Sequence, residues 1–250
     1  MSEKNLVQDS RFTIRTYEID NQKRASVPAL INLLHEAAMQ NVINLGVSVW
    51  HLEPLRLAWV LLRMQVSVSR MPVLGETIRI ITYPAGFERL FTYRDYKVYD
   101  EKDEMIAWAS SSWVLMDIES RSLARIPEFI LEFRSNMPEP STCLPRPIGG
   151  MPKWEELQPQ NLHFRVNWHD LDFNLHATNS MFVKWMVESL PEDTLLNSAL
   201  QWMDIQYKAE ILWKEELLSQ VYQQEDGAFL HRLVRVSDHK ELAVGMTKWG

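Results

Sequence analysis

The first strongly patterned stretch is "PALINLLHEAAMQNVINL", where Leu30, Leu33, Leu34, Ala37, Ala38, Ile43 and Leu45 recur at three- and four-residue spacings. That period belongs to an α-helix. The apolar set covers so much of the circumference that the helix is expected to be buried nearly all round. Pro28 near the start and Gly46 at the end bound it at about Pro28 to Leu45. Ahead of it, "RFTIRTYEID" reads as extended. Behind it come "LAWVLLRMQVSVS", "ETIRIITYPAG", "LFTYRDYKVYD" and "EMIAWASSSWVLMDI". These are rich in β-branched and aromatic residues and several alternate, as strands do; "DEKDE" is the turn between the last two.

The same order of elements returns after a break. Six of the twelve prolines fall between Pro138 and Pro159, beside Gly149 and Gly150, and such a run continues neither a helix nor a central strand. It divides the chain into a unit over 1–135, a linker over 136–160 and a second unit over 161–250. In the second unit "HFRVNWHDLD" is the leading strand. Met181, Phe182, Trp185 and Met186 mark a helix halted by Pro191, and "LQWMDIQYKAEILW", "ELLSQVYQQE", "FLHRLVRVSD" and "KELAVGMTKW" are the strands, with "DHK" at the matching hairpin turn. Laid over each other, the halves match Asp20 with Asp172, Ala25 with Ala177 and Glu36 with Glu188. With a different gap they match Glu76 with Glu215 and Trp113 with Trp249. Self-similarity at long period reads as internal duplication. A helix followed by antiparallel strands is an α+β unit in which a sheet wraps a helix, and two copies would form a pseudo-dimer.

Composition narrows the class. Hydrophobic residues make up 46% and charged residues 24%, ordinary for a globular protein. No apolar run is long enough to cross a bilayer. The opening "MSEKNLVQDSRFT" has acids and no apolar h-region, which argues against a targeting peptide. A single cysteine, Cys143, excludes an internal disulfide, so a cytoplasmic setting is expected. Net charge of −7, from 26 Lys and Arg against 33 Asp and Glu, disfavours general nucleic-acid binding.

The candidate chemistry lies in "NWHDLDFNLHATNSMFVKWM", residues 167–186. Asp172, Asn174 and His176 stand at every second position, so in an extended segment they would share one face. The first half has Asp20, Gln22 and Arg24 there, and Met71 where the second has Glu210. Only the second half therefore assembles Asp, Asn, His and Glu. A solvated strand face would explain the row with no function at all; His176 alone would be an ordinary structural histidine, and Glu210 alone a solvated charge. Yet Glu210 sits among Tyr207, Ile211, Leu212 and Trp213, apolar company of the kind that would desolvate a general base.

"DLDFNLHATN", a Trp-containing helix ending "ESLPED", and then "IQYKAE" resemble the acyl-acyl carrier protein thioesterases of plants and bacteria. Those proteins carry a D-x-N-x-H-x-x-N segment and a downstream Tyr-basic-x-Glu segment, and the resemblance runs from about residue 11 to 250. It implies an α+β double hotdog: two tandem hotdog domains, each an antiparallel sheet wrapped around a central helix. Carried over position by position, it makes Asp172, Asn174, His176 and Glu210 the catalytic set. Asn179 matches the last Asn of the motif and is expected to cap the helix beginning there, near the oxyanion site. Many plant members have a cysteine directly after the glutamate. Here that residue is Ile211, which makes a cysteine nucleophile implausible.

A water mechanism remains. A thioester expels a thiolate whose conjugate acid, if like cysteine, has a pKa of roughly 8.5, so the leaving group needs little help. The expectation is that Glu210 acts as general base while Asn174 and His176 hold water or thioester and Asp172 orients its neighbours. Free N–H groups near Asn179 would serve the oxyanion. Attack by Glu210 itself, through an anhydride, is the competing route. The resemblance places an acyl slot in the first domain, with the helix and "LAWVLLRMQ" as walls. It implies no metal and no cofactor, and acyl carrier protein as partner, an acidic protein that would dock on a local Lys/Arg patch. The expected function is hydrolysis of fatty acyl-acyl carrier protein in the cytoplasm, on the bacterial side, with a homodimer left open. The alternatives are an acyl-CoA thioesterase and a catalytically silent acyl-binding hotdog protein.

Overall fold

The computed structural model describes residues 5–146, 149–151, 154 and 159–250. The helix expected from the apolar periodicity forms over Val27–Leu45 (α1). The Ser26 hydroxyl accepts from the Ala29 N–H at 3.3 Å, and Pro28 occupies the first turn, where an N–H would have no partner. Gly46 closes the helix at φ +74°, a left-handed conformation that glycine adopts without strain. Leu30, Ile31, Leu34 and Ala37 are at most 1% exposed. Cutting one such leucine back to alanine would cost about 2–5 kcal/mol.

The first half contributes β1 (Gln8–Thr13), β2 (Leu57–Val68), β3 (Thr77–Glu88), β4 (Phe91–Tyr99), β5 (Met105–Asp117) and the two-residue β6 (Leu123–Ala124), with short helices α2 (Val49–Leu52) and α3 (Glu128–Leu131). The second contributes β7 (Gln160–Arg165), α4 (Asn179–Val187), α5 (Glu192–Asn197), β8 (Leu200–Tyr207), β9 (Glu216–Gln223), β10 (Phe229–Arg235) and β11 (Glu241–Trp249). One antiparallel sheet runs β1-β3-β4-β5-β2-β8-β11-β10-β9-β7, with β6 beside β5. The order is the same read inward from either edge, so the halves are related by a pseudo-two-fold axis between β2 and β8. Each half is a hotdog, and together they make a double hotdog. A single cluster of buried apolar side chains takes in both α1 and α4.

At the junction Arg63 pairs with Gln206 and Ser67 with Trp202 in the β2–β8 ladder. Arg63 bonds Asp204 through two parallel contacts, Nε to Oδ1 at 2.7 Å and Nη2 to Oδ2 at 2.6 Å, both side chains buried. Removing one partner would strand a charge at a cost of about 3–5 kcal/mol. Local details repeat as well. Trp113 Nε1 donates to Ser111 Oγ, and Trp249 Nε1 to Thr247 Oγ1, each at 2.8 Å. Glu76 accepts from the Val73 N–H at 2.9 Å and Glu215 from the Leu212 N–H at 3.0 Å.

Two segments depart from expectation. The leading strand of the second half ends at Arg165; Trp168–Asp170 is a 3-10 turn and the residues after it form a tight loop. Of the expected linker, residues 147, 148, 152, 153 and 155–158 lie outside the described ones. Its described part is anchored rather than loose. The buried Asp95 carboxylate accepts from the Leu144 N–H at 2.8 Å and from Arg146 at 3.0 Å.

Candidate active site

Asp172, Asn174 and His176 do not form an extended row. The Asp172 Oδ1 accepts from the N–H groups of Asn174 at 2.8 Å and His176 at 3.2 Å, and the Asp172 N–H donates to the His176 carbonyl at 2.7 Å. Leu175 sits at φ +62°, completing the reversal. Alternating polarity here is a turn whose aspartate satisfies its own backbone. The expected shared strand face is therefore corrected: the Asp172 Oδ1 shapes the loop, and Asp172 also lines a cavity.

The loop after β8 is stitched to this turn. The Ala177 N–H donates to the Ile211 carbonyl at 2.8 Å, and His176 bridges Leu212. Those bonds bring Glu210 to His176, with Oε2 3.5 Å from Nε2. Arg235 supports the loop from β10, donating to the Glu210 carbonyl at 3.1 Å and pairing with Glu215 at 2.9 Å. Glu210 is on a loop, not on a strand, because β8 ends at Tyr207. Nor does apolar company enclose it. Ile211 turns into the core, whereas Leu212 and Trp213 face solvent and the Glu210 side chain is 31% exposed.

One contact was invisible in the sequence. Arg121, in the loop after β5, forms an ion pair with Glu210 Oε2. The pair joins the two halves, and no periodicity or motif links residues so distant.

Asn179 is not the helix cap. Thr178 takes that position, without a side-chain cap bond, and Asn179 is the first residue of α4. The Met181 N–H bonds the Thr178 carbonyl at 2.9 Å, while among the described residues the Asn179 and Ser180 N–H groups donate to no backbone oxygen. Asp172, Asn174 and Asn179 help to line a cavity of about 380 Å³, within the usual range for small-molecule sites. Its walls come from the first half: Met39 and Val42 of α1, Leu52, Trp59 and Phe133. Of "LAWVLLRMQ" only the first three residues take part. His176 and Glu210 stand outside this lining, reached through the turn that carries Asn174. Among the described residues no three His, Cys, Asp or Glu side chains are grouped as metal ligands would be.

The cavity wall is not wholly apolar. His35 of α1 and Arg94 of β4 also line it. Burial lowers the His35 pKa to about 4, so the ring is neutral at pH 7, and it meets Trp113 edge-on at 6.2 Å between centroids. Burial likewise lowers the Arg94 pKa.

Two hotdog units that share one sheet, with a polar loop cluster in one and a cavity in the other, define the class as a double-hotdog protein. The model of the acyl-ACP thioesterase N-terminal domain matches residues 5–133, and that of the C-terminal domain matches residues 155–250. The chain belongs to the acyl-ACP thioesterase family. It is 28% identical to the chloroplastic acyl-[acyl-carrier-protein] hydrolase FATB2 of Cuphea viscosissima, an alignment that covers 98% of this chain and 63% of that one. It is 26% identical to the chloroplastic oleoyl-acyl carrier protein thioesterase 1 of Arabidopsis thaliana, covering 100% of this chain and 77% of the other. The chain thus spans less than two thirds of the Cuphea relative. The fold matches the 12:0-ACP thioesterase from Umbellularia californica with a TM-score of 0.88 at 23% identity, over 100% of this chain and 99% of that one. An acyl-ACP thioesterase from Bacteroides thetaiotaomicron matches with a TM-score of 0.86 at 20% identity, over the whole of both chains. No helix among the described residues is long and apolar enough to cross a membrane.

Proposed function

We propose that this chain hydrolyses fatty acyl-acyl carrier protein to a free fatty acid and the carrier, with Glu210 activating the attacking water. The observation that carries this reading is the 3.5 Å approach of His176 Nε2 to Glu210 Oε2, on a turn whose Asn174 lines the cavity. In this division of labour the unit over 1–135 holds the acyl chain and the unit over 161–250 supplies the chemistry. The Glu210 carboxylate takes a proton from water as the water oxygen bonds to the thioester carbonyl carbon and the C=O π pair moves onto the carbonyl oxygen, which re-forms the double bond in the next step. The C–S bond then breaks and the thiolate departs.

The first-turn N–H groups of Asn179 and Ser180 face no backbone acceptor, and at a helix start such donors suit a developing oxyanion. Asn174 and His176 position water and carbonyl. Asp172 contributes by fixing the turn, and Arg121 by holding Glu210 across the halves. Cys143 plays no part: it lies in the linker, where burial raises its thiol pKa and its Sγ sits 3.4 Å from the Ala85 carbonyl of β3.

The test is direct. The purified protein is given one acyl chain on acyl carrier protein and on coenzyme A, and thiol release is followed. Rapid release from the carrier-protein thioester is expected. Faster release from the coenzyme A ester would reassign the carrier, and none from either would leave an acyl-binding protein.

A further inference from the structure

The two halves provide an internal control for the cavity wall. The spacing that lays Asp20 on Asp172 lays His35 on Val187. The ladders set further equivalences. Thr82 faces Tyr96 as Val221 faces His231, and Arg94 faces Pro84 and Ser111 as Phe229 faces Gln223 and Thr247. His35, Thr82, Arg94 and Trp113 therefore correspond to Val187, Val221, Phe229 and Trp249. In the second half those four residues pack together in one apolar cluster. In the first half the equivalent place is open, and polar groups replace three of the four.

Their arrangement is costly as packing alone. Arg94 is buried, and its Nη1 donates to Asn41 Oδ1 at 2.8 Å and Thr82 Oγ1 at 3.1 Å. Among the described residues it forms no ion pair within 4.0 Å; its chain neighbour Asp95 is engaged by Arg146 and acts on Arg94 only at longer range. His35 Nε2 is buried with no hydrogen-bond partner. A buried cation bonded only to neutral side chains and an unmet ring nitrogen both cost stability. The second half demonstrates that Val and Phe fill the same frame. Both side chains line the cavity, so a ligand oxygen there would meet polar groups that the second half lacks.

We propose that the cavity takes acyl chains carrying an acceptor oxygen, a hydroxyl or oxo substituent, which is bound between the Arg94 guanidinium and the His35 ring. This rests on the acyl-thioesterase reading and names its substrate class. The wall then discriminates by chemistry as well as by length, since a site built to bond an oxygen disfavours the chain that lacks it.

The experiment compares acyl carrier protein thioesters of a single chain length, unsubstituted or bearing one hydroxyl or oxo group at each successive carbon. One oxygenated isomer is expected to exceed the unsubstituted chain in kcat/KM by about tenfold or more. His35→Val and Thr82→Val, which install the residues of the second half, should each collapse that ratio, with thermal unfolding reporting whether they fold. A preference for the unsubstituted chain over every isomer overturns the proposal, and so does an oxygen preference that survives both substitutions. Calorimetric binding of the free acids keeps the two readings apart. Oxygenated acids that bind tighter with no thioester turned over would support the subsite and sink the hydrolase, whereas rapid turnover with equal binding of all acids would do the reverse.

Discussion

The turns at Asp20 and Asp172 share one backbone but differ in employment. In each, the aspartate N–H donates to a carbonyl four residues on at 2.7 Å, from Asp20 to Arg24 and from Asp172 to His176. The carboxylates accept from Gln22 and Arg24, each at 2.9 Å, as Asp172 accepts from Asn174 and His176. Lys23 and Leu175 both sit at φ +62°. In the first half Arg24 folds back on Asp20 at 3.0 Å and reaches the Ser198 carbonyl at 2.9 Å, while Gln22 bonds the Leu196 carbonyl. That turn is a clamp between the halves. In the second half the same two positions carry Asn174 and His176, in the cavity lining and beside Glu210. The alternating motif is therefore a turn first, and its chemistry comes from what the two outward positions hold and from Glu210 standing where the other half has Met71.

The sharpest way to break this contrast is to remove what only the second half has. Glu210→Gln keeps size and shape and abolishes the base, so kcat should fall by about 10²–10⁴-fold, with the urea midpoint close to wild type because the side chain is on a loop. Steady-state thiol release checks it. A rate within a few-fold of wild type would make Glu210 a docking charge and return the second turn to the structural role of the first.

Each half also shields one histidine ring: His35 in the first is half-buried with its Nε2 enclosed, and His231 in the second is fully buried, 2.8 Å from Thr247 Oγ1. Burial lowers both to a pKa of about 4 from the ordinary 6.5. Above pH 6.5 neither folded nor unfolded chain protonates them. Between pH 6.5 and 4 the unfolded chain takes up protons that the native one refuses, so stability falls with pH, by about 3 kcal/mol per histidine, and levels off below 4. Urea titrations from pH 7 to 4 should show the decline, and His35→Val should flatten it by about one histidine's share. If His35→Val leaves the slope as steep as wild type, the first half is not holding an uncharged ring against its cavity.

Much of this was legible in the chain. The helix over Val27–Leu45 announces itself by spacing, by Pro28 and by Gly46, since each acts locally. The duplication was legible through Asp20, Glu76 and Trp113, whose partners recur because each completes a backbone or indole hydrogen bond that both halves need. The row at Asp172 is ambiguous in sequence because period-two polarity fits a strand and a side-chain-capped turn equally well. An aspartate two and four residues before polar positions, with a flanking residue forced to positive φ, is decided by geometry. Arg121 was out of reach, because its contact crosses from one half to the other through a loop that no motif marks. The polar wall was hidden too: His35 lies on a helix whose apolar pattern predicts burial without saying what the buried ring faces.

The finest test of the comparison sets the two aspartates against each other. Asp20→Ala and Asp172→Ala each leave two N–H groups without their carboxylate, and hydrogen bonds to a charged group contribute about 1.5–3 kcal/mol. Partial exposure of both turns lets water replace some of that, so a loss of about 1–2 kcal/mol is expected from either, read as a shift of the urea midpoint. The activities should part. Asp20→Ala disturbs a clamp outside the cavity lining and should keep thiol release near wild type, whereas Asp172→Ala lets Asn174 and His176 drift and should lower kcat by about tenfold or more. Asp172→Asn, which keeps one acceptor oxygen, should recover most of the rate if Asp172 works by shaping the turn. A deep loss in Asp172→Asn would instead mean that its charge enters the chemistry, and the parallel between the two turns would hold for the backbone alone.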